Sequence, residues 1–283
     1  MKNLFQRLYT LIGCNVNFQN QNTKDSVNLN QSVIRLSVLI LLAFFVSTTL
    51  SAQVSLTASA GTTSGSYSTL KDAFDAINAG THQSVIVITI TGNTTELSTA
   101  SLSASGTGSS SYSSINIYPT STGYSISGNL SSPLIDLNGA QNVTIDGRVN
   151  ASGSTQDLVI SNTSTSNATG TSTVRFINDA SSNTIKYCTL KGSSTASSGI
   201  LFFSTSSGSA GNDNNTIDHN NITNSADANR PVNVIYSLGT VSKENSGNTI
   251  SNNKIYDFLN RGLASNGVYL NSNTTVNRQH KVD

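Results

Sequence analysis

Between residues 142 and 255 one pattern recurs: an apolar residue, a polar corner of three or four residues carrying Asn, and a second apolar residue five positions after the first. The copies are Asn183-Thr-Ile-Lys-Tyr-Cys-Thr-Leu, Asn215-Thr-Ile-Asp-His-Asn-Asn-Ile and Asn248-Thr-Ile-Ser-Asn-Asn-Lys-Ile, with a looser one at Asn142-Val-Thr-Ile-Asp-Gly. Their starts lie 41, 32 and 33 residues apart. A second family of short apolar runs is interleaved with them, beginning at Leu134, Val174, Ile200, Val234 and Val268. A unit of about 33 residues thus predicts three short strands, none of which can bury its apolar face until units stack.

Three strands per turn with polar corners predict an all-β chain wound as a parallel β-helix, its coils about 4.8 Å apart. Ile185, Ile217 and Ile250 then form one internal stack, and Leu190, Ile222 and Ile255 another. Asn220 and Asn253 share a corner position where amides can hydrogen-bond from coil to coil, and Cys188 holds that position in the coil above. An antiparallel sandwich also has short strands at regular spacing. It gives no reason for Asn-Thr-Ile to return every 32 or 33 residues.

The N-terminal half adds other elements. Thr69-Leu-Lys-Asp72 is a capping-box pattern, followed by Leu70, Ala73, Phe74 and Ile77 on one helical face and Gly80 as a stop. Val85 to Ile90 then reads as a buried strand. A short amphipathic helix there would close the exposed edge of a first coil.

Residues 36–50 read LSVLILLAFFVSTTL between Arg35 and Ser51-Ala52-Gln53. A positive flank, a short apolar core and a small-residue exit describe a secretory signal, too short for a membrane span of about 20 residues. The expected organisation is a leader and signal peptide over 1–52, cleaved after Ala52, a flexible linker over 53–66, and the β-helix over 67–283. The run Gly267-Val-Tyr-Leu270 opens a coil that the polar tail does not complete. The domain is therefore expected to be truncated at its C-terminal end, and a stop there would favour end-to-end self-association.

Composition narrows the function classes. The 283 residues carry a formal net charge of +1 with 10% charged residues, and Ser, Thr and Asn number 48, 34 and 35. Those three compete with the helix backbone for hydrogen bonds, which argues against a helix-rich enzyme. No basic excess exists to hold a phosphate backbone, so nucleic acid is not an expected partner. Beyond residue 52 there are 11 bases, 13 acids and one cysteine, Cys188. An intrachain disulfide is therefore impossible in the mature chain, and membrane insertion after signal cleavage is not expected.

The order Tyr67-Ser-Thr-Leu-Lys-Asp-Ala-Phe-Asp-Ala-Ile-Asn78, a strand, Ile115-Asn-Ile-Tyr-Pro119 and Asn142-Val-Thr-Ile-Asp-Gly147 resembles the start of secreted bacterial pectin-lyase-like proteins. The resemblance implies a right-handed parallel β-helix. It fixes function poorly, because that group includes lyases, hydrolases and adhesins. Hydrolases of the group would imply Asn-x-Asp, Asp-Asp, Gly-His-Gly and Arg-x-Lys, none of which occurs here.

What remains is a column. Asp146, Lys186, Asp218 and Ser251 follow the aligned Ile residues in successive coils, placing two acids about 10 Å apart with a Lys between them. This describes a charge ladder on the surface more readily than a metal site, which would want adjacent carboxylates. His82, His219 and His280 are scattered and read as surface or turn residues, and Cys188 as a small buried hydrophobe. Tyr118, Tyr236, Tyr256 and Tyr269 read as core or corner packing rather than sugar-stacking faces. No catalytic residue, metal or cofactor is expected. The favoured function is an exported, non-catalytic surface protein for adhesion or contact with a polysaccharide or host glycan. A polysaccharide lyase or glycoside hydrolase with an incomplete site, and a structural stalk, are the alternatives.

Overall fold

The computed structural model describes residues 52–271 and the backbone of 281–282. Residues 1–51, 272–280 with His280, and 283 lie outside the described residues, and with them all of the expected leader and signal peptide except Ala52. The chain opens with a hairpin of β1 (Val54–Gly61) and β2 (Ser64–Tyr67), followed by helix α1 (Leu70–Asn78). Six coils of three strands come next. They are β3 (His82–Ile90), β4 (Thr94–Glu96) and β5 (Ala100–Ser103); β6 (Tyr112–Pro119), β7 (Ser125–Gly128) and β8 (Pro133–Asn138); and β9 (Val143–Asp146), β10 (Leu158–Asn162) and β11 (Ser172–Ile177). The second half contains β12 (Thr184–Lys186), β13 (Cys188–Gly192) and β14 (Leu201–Phe203); β15 (Thr216–Asp218), β16 (Asn221–Asn224) and β17 (Asn233–Ser237); and β18 (Thr249–Ser251), β19 (Lys254–Ile255) and β20 (Asn266–Leu270). A last strand, β21 (Lys281–Val282), pairs with β18.

Corresponding strands of successive coils pair in parallel, giving three stacked sheets and a β-solenoid of about six turns. Sheet A contains the first strand of every coil, sheet B the second and sheet C the third. The antiparallel exceptions are β1 with β2 and β1 with β3, which extend sheet A beyond its first coil.

Alternation along each strand decides what faces inward. In sheet A, Ile88, Ile117, Ile145, Ile185, Ile217 and Ile250 stand in register, each at most 4% exposed. Sheet B aligns Ile126, Ile160, Leu190, Ile222 and Ile255. Sheet C aligns Ile135, Val174, Leu201 and Ile235, beside which Phe176 stacks on Phe203 at 4.6 Å. Each fully buried side chain of this size contributes about 1.5–3 kcal/mol of transfer free energy. The stacked Ile and Leu columns therefore carry the core.

The corners have their own chemistry. Asn142, Ser182, Asn214 and Gly247 turn the chain into sheet A with φ between 56 and 65°, and Tyr187, His219 and Asn252 turn it out with φ between 52 and 54°. The left-handed turn aims the next side chain inward. That residue is Val143, Asn183, Asn215 or Asn248 on the entry side and Cys188, Asn220 or Asn253 on the exit side. Asn220 Nδ2 donates to Ile185 O (2.9 Å) and to Asn253 Oδ1 (3.0 Å), while Asn220 Oδ1 accepts from the backbone of Cys188 (2.9 Å). Such ladders satisfy buried backbone groups that no strand reaches.

Two expectations need correction. Residues 53–66, expected as a flexible linker, are largely β1 and β2, with Val54 and Leu56 fully buried. Their inward positions are few and the intervening residues small and polar, so the alternation is faint in the sequence. His82, expected at the surface, is 1% exposed, its ring bonded to Tyr67 Oη and to Thr62 O.

Helix α1 starts from Thr69, whose Oγ1 accepts from Asp72 N, and it buries Leu70, Ala73, Phe74 and Ile77. The carboxylate of Glu96, 1% exposed on β4, accepts from the backbone of Leu70 and of Lys71, each at 3.0 Å. A buried acid is favoured there by the positive end of the helix. Burial still pushes the Glu96 carboxyl above its ordinary range, outweighing those hydrogen bonds.

Candidate functional site

The outward positions of sheet A carry two columns of side chains on β9, β12, β15 and β18. One is Thr144, Thr184, Thr216 and Thr249, all half-buried. The other is Asp146, Lys186, Asp218 and Ser251. The backbone pairing thus brings Asp146, Lys186 and Asp218 into one row, with about 4.8 Å between levels.

The charges in that row are not shared evenly. Asp146 is buried and held by Arg148, whose Nε and Nη2 donate to its two carboxylate oxygens at 2.9 and 2.6 Å. The Arg148 backbone adds a third bond at 3.1 Å, and Lys186 Nζ lies 3.5 Å away. Asp218 turns to the next coil instead, accepting from Ser251 Oγ (2.8 Å) and Asn252 Nδ2 (2.9 Å) and pairing with His219 Nδ1 (2.7 Å). Lys186 therefore serves one acid, not two. Burial raises the Asp146 carboxyl, but the Arg148 hydrogen bonds and the nearby cations more than reverse this and hold it below the ordinary range. Asp218 is likewise lowered, its desolvation outweighed by Asn252, His219 and Ser251.

A second stack runs beside this row. The Arg148 guanidinium carbon lies 4.4 Å from the centre of the Tyr187 ring, and the His219 ring lies 4.8 Å from it, nearly parallel at 18°. Tyr187 is a bulky residue in the left-handed region, a sparsely populated conformation for such a side chain. Packing between the guanidinium and the imidazole offsets that cost. Gly147 makes the arrangement possible, because a Cβ there would stand 1.9 Å from Tyr187 O. Sequence reasoning singled out the Asp–Lys–Asp row but missed Arg148 and Tyr187. The signal for Arg148 was its place two residues after Asp146, across a glycine.

The other singled-out residues lie elsewhere. Cys188, Asn220 and Asn253 occupy successive levels of the exit corner, behind sheet A, facing the core. The Cys188 Sγ is fully buried and 3.3 Å from Lys186 O, and burial pushes its thiol far above the ordinary range. On the outer side of sheet C, Tyr236 packs between Phe202 (5.5 Å) and Tyr269 (5.4 Å) and is 6% exposed. Tyr256 and Tyr269 are 42% and 43% exposed, and Tyr118 is half-buried.

Chemically, this face is built to present hydrogen-bonding groups. The acceptor sites of Asp146 are taken by cations, which suits neither a general base nor a nucleophile. Among the described residues no group of three or more His, Cys, Asp or Glu is placed to hold a metal ion. No helix among them is long and apolar enough to cross a membrane. Compared with protein-family models, curated proteins and solved structures, the chain matches none of them.

Proposed function

We propose that this chain is an exported, non-catalytic surface protein that contacts glycans through the outer face of sheet A. On this reading the solenoid is a right-handed parallel β-helix of the pectin-lyase-like kind, with α1 closing its first coil. The observation that carries the proposal is the pair of in-register columns, Thr144/Thr184/Thr216/Thr249 and Asp146/Lys186/Asp218/Ser251. Hydroxyl and charged groups recur there at the inter-strand spacing, so a polymer of repeating hydroxylated units meets a repeating set of donors and acceptors. The charged groups of the face balance: Arg148 and Lys186 stand against Asp146 and Asp218. The face therefore favours neutral over strongly charged chains.

The test is retention of the full chain on immobilised neutral and acidic polysaccharides, compared with the double variant Thr184→Ala, Thr216→Ala. Retention of the parent on a neutral glycan, weakened severalfold in the variant, supports the proposal. Depolymerisation of any of these glycans by the chain overturns the non-catalytic part. Equal retention of parent and variant moves the contact off sheet A. No retention at all leaves the stalk as the better reading.

A further inference from the structure

The segments joining sheet B to sheet C in the last two coils, 225–232 and 256–265, border an open cavity of about 420 Å³ lined by Asp227, Ala228, Arg230, Asn260 and Arg261. Its size lies within the range of small-ligand sites. We propose that this cavity is a binding site for a dianionic phosphate group.

Arg230 carries the argument. Its side chain is 29% exposed, yet its Nη2 lies 3.4 Å from Asp257 and 4.0 Å from Asp227, and no hydrogen bond from its guanidinium is formed with the described residues. A guanidinium has five donors in a planar fork. Here they meet two carboxylates in loose ion pairs, and the lining of the cavity includes a second cation, Arg261, which is exposed.

The segments are held in place without using those donors. Asn260 Nδ2 donates to Arg230 O at 2.7 Å and Asn260 Oδ1 accepts from Gly262 N at 2.9 Å, so the coil that supplies Arg261 is tied to the coil that supplies Arg230. Asp227 is itself 91% exposed and also accepts from Asn224 Nδ2 at 3.3 Å.

The chemistry of the occupant follows from the competition. Two carboxylates already neighbour Arg230 without engaging its fork, so a ligand must offer more charge than one more carboxylate. A phosphate carries about 1.5–2 negative charges at neutral pH and three acceptor oxygens. Its oxygens can accept from both Arg230 and Arg261, in charge-assisted bonds shorter and stronger than neutral ones. Arg230 and Arg261 are balanced by Asp227 in the lining and by Asp257 beside it, so the phosphate has to draw Arg230 out of its loose ion pairs and is not attracted by a net positive charge. Free phosphate and a phosphomonoester on a sugar share this chemistry.

The proposal is independent of the sheet A reading, and its experiment separates the two. Inorganic phosphate, glucose 6-phosphate and glucose are titrated into the full chain, following binding calorimetrically. Binding of one or both phosphates but not of glucose is expected, weakening roughly tenfold from about pH 7.5 to about pH 5 as the anion loses its second charge. Arg261→Ala should weaken binding at least as much, and Asp227→Asn should tighten it severalfold by removing the competing charge. Binding of glucose 6-phosphate alone assigns the site to a phosphorylated sugar; equal binding of both assigns it to phosphate itself. Absence of binding by either phosphate, an Arg261→Ala variant that binds as well as the parent, or an Asp227→Asn variant that binds worse overturns the proposal. The Thr184→Ala, Thr216→Ala variant should bind phosphate unchanged, whatever happens to its glycan retention.

Discussion

Asn215 accepts both the backbone N–H and the side-chain amide of Asn183, 32 residues earlier, through one oxygen, at 3.1 and 3.0 Å. Its own amide nitrogen donates to Ala180 O (2.9 Å) and to Asn248 Oδ1 (3.0 Å). Three levels of the solenoid are joined by one fully buried side chain. Asn215→Ala leaves Asn183 N and Ala180 O without this partner, while Asn248 Oδ1 keeps the backbone N–H of residue 215 at 2.8 Å. At about 1–3 kcal/mol per stranded group, partly relieved by local relaxation, the expected loss is about 3–5 kcal/mol. A chemical denaturation series reads it as a lowered midpoint, and a loss below about 1 kcal/mol would show that the ladder is replaceable.

The exit-corner ladder stops at Cys188 for a reason that makes a counterintuitive prediction. Asn at this position could donate to Ile145 O, the carbonyl now 3.9 Å from Sγ. Its oxygen, however, would face Leu158, whose N–H is already bonded to Gly147 O at 2.9 Å. Cys188→Asn should therefore destabilise the chain by about 1–3 kcal/mol although it extends the apparent consensus. Cys188→Ala should cost less. The native thiol should also resist iodoacetamide until the chain unfolds, since burial keeps it protonated.

Asp146 sets the acid side of the stability profile. Its carboxyl lies below the ordinary range in the folded chain, so its contribution is complete above the unfolded value, about 4, and is lost as pH falls through the folded one. Asp146→Asn should cost about 1–3 kcal/mol near neutrality, because Arg148 and Lys186 lose their counter-ion while remaining partly solvated. The gap between parent and variant should close on acidification. A gap that persists in strong acid would point to packing instead of charge.

Glu96 acts with the opposite sign. Burial raises its carboxyl, so its contribution is complete below the unfolded value, about 4.3, and is lost as pH rises through the folded value. Melting curves of Glu96→Gln should lack this decline on the alkaline side of the unfolded value while keeping the acid-side loss due to Asp146. If both variants changed the profile on the same side, the assignment of the two carboxyls would be wrong.

Much of this was legible because a solenoid writes its period into the sequence. The Ile columns and the shared corner of Cys188, Asn220 and Asn253 follow from spacing alone, since pairing of Ile185 with Ile217 fixes every neighbour on those strands. Residues outside the period were not legible. Arg148 lies in an insertion after β9, so no repeat pointed to its bond with Asp146. The hairpin β1–β2 and the burial of His82 depend on antiparallel pairing with β3, which alternation in a Ser- and Thr-rich stretch barely signals. The Arg230 cavity arises where two unrelated segments meet, and neither contains a motif.

A stack of near-identical rungs invites a folding error in which one rung is skipped and the rest close over the gap. Column residues of equal size would not penalise it. The break in the amide ladder does. Docking coil 5 directly on coil 3 would set Asn220, whose oxygen now accepts from Cys188 N, under Leu158, whose N–H is already committed to Gly147. The cysteine at the end of the ladder thus marks one address in an otherwise self-similar chain, setting coil 4 apart from coil 5 as the neighbour of coil 3.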